Sequence, residues 1–137
     1  MKLEIFYIFG YISNLKGAVI MKNNSIAYNA TNDDYYEDLL IKNLKINDSS
    51  YRSVVIGYLL DCKPSERLQG IFEEIYKSDM DDIARFNAAK GFLYCKGLLR
   101  STENIDYDDP LYDLIIALSS EDKEEVKKAE EKIAEIK

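Results

Sequence analysis

The 137 residues are 31% charged and 47% hydrophobic, a balance that allows one domain with a packed core and leaves little room for disorder. The formal net charge of −7 argues against direct binding of nucleic acid or of an anionic membrane, because both repel an acidic surface. Histidine is absent, which removes the usual general base, proton shuttle and commonest metal ligand.

The N-terminal segment, residues 1–31, is open to two readings. Ile5, Ile8, Phe9, Ile12 and Leu15 share one helical face, while Leu3, Ile5, Tyr7, Phe9 and Tyr11 alternate as in a strand. Residues 18–21 and 26–28 could then pair as a small β-hairpin. Helix is preferred, because a helical pair would extend the array that follows. The apolar run is too short to span a membrane, contains Glu4 and lacks a small-residue cleavage site. A cytoplasmic protein is therefore expected.

From residue 32 onward helical spacing dominates. Tyr36, Leu39, Leu40 and Leu44 form the first apolar stripe, preceded by Asn32, Asp33 and Asp34 as cap and favourable charge. Val54, Val55, Tyr58, Leu59 and Cys62 form the second. Pro64 stands where a third helix begins, with Leu68, Ile71, Phe72, Ile75 and Tyr76 on its stripe. A fourth helix, over about 82–98, carries Ile83, Phe86, Ala89, Phe92 and Leu93. Asp109-Pro110 opens a fifth, with Leu111, Leu114, Ile115 and Leu118. The last carries Val126, Ala129, Ile133 and Ile136 among Glu and Lys residues, as suits a solvated terminal helix. The expectation is one all-α domain over 1–137, with helical hairpins at 32–63, 64–99 and 107–137.

Within that array one pattern occurs twice. Asp48, Arg52 and Cys62 recur 33 residues on as Asp81, Arg85 and Cys95. Each copy also has a Gly-aromatic-Leu step, Gly57-Tyr-Leu and Gly91-Phe-Leu, which slips by one residue between copies. A period near 33 is that of a helical repeat. The Asp-x-x-x-Arg opening resembles HEAT repeats, and Asp122 with Val126, Lys127 and Ala129 resembles a degenerate third copy. The resemblance implies a short α-solenoid of about three HEAT-like hairpins. It also implies that Asp48, Arg52, Asp81 and Arg85 are structural, tying neighbouring units together. A partly buried Arg needs a carboxylate, from the Asp four residues earlier or from an adjacent unit.

A search for catalytic chemistry returns nothing. No glycine-rich phosphate loop is present, and without His or a Cys-based dyad a nucleophile has no obvious activating base. Cys62 and Cys95 read as buried thiols, since two cysteines make neither a disulfide framework nor a zinc site. Asp106, Asp108 and Asp109 lack the Gly and distal Glu of a calcium-binding loop. No enzyme activity, cofactor or metal is assigned.

Eleven tyrosines in a chain without Trp are an excess, and several sit beside carboxylates at helix entries. Asp33, Asp34, Tyr35 and Asp38 make one such group; Asp106, Tyr107, Asp108 and Asp109 make another. Tyr supplies rigid contact area with a polar tip, and surrounding acids steer a basic partner. In size, charge and helical content the chain resembles bacterial immunity proteins, in particular the helical ones of contact-dependent growth inhibition systems. That likeness implies a cognate toxin as partner, a basic nuclease whose active site the acidic, Tyr-rich surface would cover. The alternative is a scaffold or regulatory adaptor that holds a peptide or helix in a groove of the array.

Overall fold

The computed structural model describes residues 34–103 and 105–136. The readings of segment 1–31, and of Asp33 as a partner-binding residue, lie outside the described residues. Among those described the protein is all α-helical, with six helices and no strand. The helices are α1 (Asp34–Asn43), α2 (Ser49–Leu59), α3 (Glu66–Ser78), α4 (Asp82–Cys95), α5 (Pro110–Leu118) and α6 (Lys123–Glu135). No described helix is long and apolar enough to cross a membrane. The chain forms two compact units, Met1–Lys63 and Pro64–Lys137.

Helix starts are fixed by side chains. Asp48, Ser65, Asp81, Asp109 and Asp122 cap α2 to α6, each accepting a hydrogen bond from a main-chain N–H of the first turn. Such a cap contributes about 1 kcal/mol by satisfying a donor that the helix leaves open. Pro110 follows its cap at the first helical position, where no N–H is needed.

In the N-terminal unit α1 buries Leu39 and Leu40, and α2 buries Tyr51, Val55, Ile56 and Leu59. A buried polar link joins the two helices. Tyr51 donates its hydroxyl hydrogen to Asn43 Oδ1 at 2.9 Å, and Asn43 Nδ2 donates to the Leu39 carbonyl at 2.7 Å. Both ends of the buried amide thus have a partner, as an interior site requires. Cys62 is buried beyond the end of α2, its thiol 3.7 Å from the Tyr58 carbonyl.

The C-terminal unit is built on the α3–α4 pair, joined by three residues. Leu68, Phe72 and Tyr76 of α3 pack with α4, where Tyr76 and Phe92 meet edge to face at 5.2 Å between ring centroids. Gly91 lets the helices approach closely. A Cβ built there would lie 2.6 Å from the Phe72 ring. Helix α4 ends at Cys95, short of the expected residue 98, because Gly97 turns left-handed at φ +79°. Leu98 N–H then bonds Leu93 O, and Gly97 N–H bonds Tyr94 O, both at 3.0 Å, so that two terminal carbonyls are satisfied. Helices α5 and α6 close the unit with Ile115, Leu118, Val126, Ala129 and Ile133. Tyr76 donates to Glu130 of α6 at 2.7 Å, and Lys77 bridges Glu73 and Glu130 at 2.7 and 3.1 Å.

Two expected core residues face water instead. Val54 is 44% exposed and Ile83 61% exposed. On α2 the wholly buried Ile56 takes the inward position. On α4 the inward face is Ala84, Arg85, Ala88, Ala89, Phe92 and Leu93, because Arg85 is held inside and turns Ile83 out. The end of the last stripe is also corrected: Ile136 lies beyond α6 and is exposed.

The two glycines of the repeated step differ accordingly, for nothing lies within 4 Å of a Cβ built on exposed Gly57, nor on Gly70 of α3. Gly91→Ala should cost about 1–3 kcal/mol by overpacking against Phe72. Gly70→Ala should instead raise stability by about 0.4–1 kcal/mol, since it restricts only the unfolded chain; denaturant titration of both variants checks the opposite signs. A pH effect follows from Cys62. Burial, with the charges of Glu37 and Asp61, pushes its thiol from the usual 9.0 up to about 12. The folded chain holds this proton more tightly than the unfolded one, so its stabilisation is complete below pH 9.0 and is lost as pH rises toward 12. Tyr51 and Tyr76, also raised by burial, add losses only above their usual 10.0. Stability against pH should therefore begin to fall between 9.0 and 10.0 in the native chain and stay flatter there in Cys62→Ala.

Candidate functional site

The four residues expected to be structural form the same local device twice. Asp48 accepts from Tyr51 N–H at 3.0 Å and Asp81 from Ala84 N–H at 2.8 Å, three residues on in each copy. Arg52 NH1 donates to the Ile46 carbonyl at 3.2 Å, and Arg85 NH1 to the Asp79 carbonyl at 2.9 Å, six residues back in each copy. The Asp starts the helix, and the Arg clasps the turn leading into it. At α6 the cap survives in Asp122, but Val126 stands where the Arg would be.

Arg85 also reaches across the C-terminal unit. Its Nε donates to the Ser119 carbonyl at 2.8 Å, at the end of α5, while the residue is only 6% exposed. Its NH2 lies 3.8 Å from Glu121 Oε1, a carboxylate that is itself mostly in water. The guanidinium is thus held mainly by two main-chain carbonyls, and it connects the start of α4 to the α5–α6 turn. A carboxylate partner is the expectation for a buried Arg; its fork geometry also lets it serve carbonyl oxygens, which no residue pattern displays.

Of the residues expected to bind a partner, Asp34 and Tyr35 open α1, and Asp38 is half-buried one turn further on. They belong to the N-terminal unit, whereas Asp106, Tyr107, Asp108 and Asp109 belong to the C-terminal one. In the second group Asp106 and Asp108 are exposed and Tyr107 is 81% exposed. Asp109 is half-buried, and its Oδ1 accepts the Leu111 N–H at 2.9 Å as the cap of α5. Asp106 and Asp109 also line a cleft of about 350 Å³ with Leu98, Arg100, Ile105 and Leu111.

Three rings organise this end of the unit. Tyr107 meets Tyr112 edge to face at 4.9 Å between centroids, and Tyr112 meets Phe86 of α4 at 6.0 Å. Lys90 lies 5.7 Å from the centre of the Phe86 ring and donates to the Thr102 carbonyl at 3.1 Å. Burial lowers its ammonium from the usual lysine value. The sequence marks Tyr112 only as a tyrosine beside Asp113, and does not mark Phe86 or Lys90 as site residues. Their contacts cross the α4–α5 connection, so no local spacing signals them. Among the described residues no group of three or more His, Cys, Asp or Glu is placed to hold a metal ion. No protein-family model matches the chain, and no curated protein or solved structure matches it.

Arg85→Ala would leave the Asp79 and Ser119 carbonyls without this donor and should cost about 2–3 kcal/mol. Arg85→Lys should recover little of that loss, since one ammonium lacks the fork that spans both carbonyls. Thermal unfolding of the two variants beside the native chain checks this; a melting temperature within error of native for Arg85→Ala would remove the clasp from the account.

Proposed function

We propose that this protein is a non-catalytic protein-binding module, and more specifically an immunity protein that neutralises a basic nuclease toxin by covering its active site. The observation that carries the reading is Tyr107, which is 81% exposed, braced by Tyr112 and set between the exposed carboxylates of Asp106 and Asp108. A ring held by its neighbour loses little freedom on binding, so more of its buried area counts toward affinity. The carboxylates suit a surface that evolved to hold phosphates, and would steer such a partner into place. The likeness to the helical immunity proteins of contact-dependent growth inhibition names the class of partner by analogy. The same reading places the protein in the cytoplasm, where a nuclease would meet its substrate.

Co-expression with the product of the gene immediately upstream tests the proposal through growth rescue and co-purification at low and high salt. A toxic upstream product, rescue and a complex weakened by salt are expected. Reversing Asp106 and Asp108 to Lys together should weaken that complex by roughly tenfold or more. Unchanged affinity there, with a loss on reversing Asp34, would move the contact to the N-terminal unit. An upstream product that is neither toxic nor bound would overturn the immunity reading.

A further inference from the structure

The exposed apolar residues of the C-terminal unit are not scattered. Ile83, 61% exposed, stands one turn before Phe86 on the same face of α4, with Lys90 a turn further on. Ile116, 46% exposed, stands one turn after Tyr112 on the same face of α5. The Phe86–Tyr112 and Tyr112–Tyr107 ring contacts join the two faces. Together Ile83, Phe86, Tyr112, Ile116 and Tyr107 form one apolar strip across α4 and α5. Along each helix two members stand about one turn apart, Ile83 and Phe86 on α4 and Tyr112 and Ile116 on α5, about 4.5 to 6 Å at the helical rise per residue.

Three of its five members have exposed carboxylates as chain neighbours, while Phe86 and Ile116 have none. Asp82 precedes Ile83, Asp106 and Asp108 flank Tyr107, and Asp113 follows Tyr112. The one lysine on the α4 face, Lys90, is drawn inward over the Phe86 ring and onto the Thr102 carbonyl. An apolar strip with acidic borders is complementary to an apolar strip with basic borders.

We infer that the α4–α5 face, from Ile83 through Phe86 and Tyr112 to Tyr107, is the docking surface for a basic amphipathic helix of the partner protein. The inference deepens the function proposed above and rests on it, because it names the element by which a basic partner is held. A helix fits since its apolar residues at i, i+3 and i+4 match anchors set about one turn apart on α4 and on α5, while its Lys or Arg side chains can reach the neighbouring exposed aspartates. A second copy of this chain is disfavoured there, because equal carboxylates would face each other.

The test uses the full-length protein and synthetic peptides of about eighteen Leu and Lys residues, long enough to be helical in water. One peptide places Leu on a single helical face, and one has the same composition scrambled. Calorimetry at low salt should show the amphipathic peptide binding roughly tenfold or more tightly than the scrambled one. The double variant Ile83→Ser, Ile116→Ser changes only exposed side chains and should remove most of that preference while its circular dichroism stays native. Equal binding of both peptides would reduce the surface to bulk charge and overturn the inference. So would a preference unchanged in the double variant, or native dimers that the double variant abolishes. Should the upstream product bind the double variant as tightly as the native chain, the protein-binding reading would stand and the helix inference would fall. A selective peptide with no upstream complex would leave the surface standing and remove the immunity reading.

Discussion

A guanidinium taken out of water sets the geometry of the C-terminal unit. Isolated, Arg85 would cost several kcal/mol to bury. It is stable inside because the turn before α4 presents the Asp79 carbonyl and the end of α5 presents that of Ser119. Both carbonyls must be in place together, so the charge fixes where α5 ends relative to where α4 begins. Once Ser119 is pinned, Ile115 and Leu118 turn into the core while Ile116 stays out. On α4 the same constraint sends Ile83 to the surface. The exposed strip is therefore a consequence of the buried charge, through nothing more than the period of the helix.

The acidic residues divide by what their oxygens already hold. Asp48, Asp81, Asp109 and Asp122 each accept a main-chain N–H at a helix start. Asp109, counted from the sequence among the partner-binding residues, is in the structure a helix cap first. Asp106, Asp108 and Asp113 are exposed beside aromatic anchors, where a carboxylate is worth more to a partner than to the fold. Composition alone gives the total charge and does not separate these two roles.

Local chemistry was legible in the sequence, and long-range pairing was not. The six helices fall where spacing, capping residues and Asp109-Pro110 put them, because each of those signals acts within one turn. The 33-residue offset of Asp and Arg also has a local meaning, since each pair builds the same cap and clasp. The Cys offset has none: Cys62 lies beyond α2 whereas Cys95 is the last residue of α4. Apolar periodicity misjudged Val54, whose inward place Ile56 takes, and Ile83, because it treats an Arg as outward by default and Arg85 faces in. The Phe86–Tyr112 contact joins residues on separate helices, and only the packing of α4 against α5 reveals it. Half of the candidate site, the acids and Tyr107, could thus be read in advance; the α4 face could not.

The same carboxylates bear on why so much apolar surface can stay open. Met80, Ile83, Tyr107 and Ile116 are all 46% exposed or more, and they sit within one small unit. An uncharged strip of that kind would pair with its own copies, since apolar burial is indifferent to the partner's identity. Asp82, Asp106, Asp108 and Asp113 remove that indifference. Brought against a second copy they meet like charge, and brought against a basic helix they meet their complement. On the docking surface proposed above, affinity would come from the strip and selectivity from the carboxylates beside it.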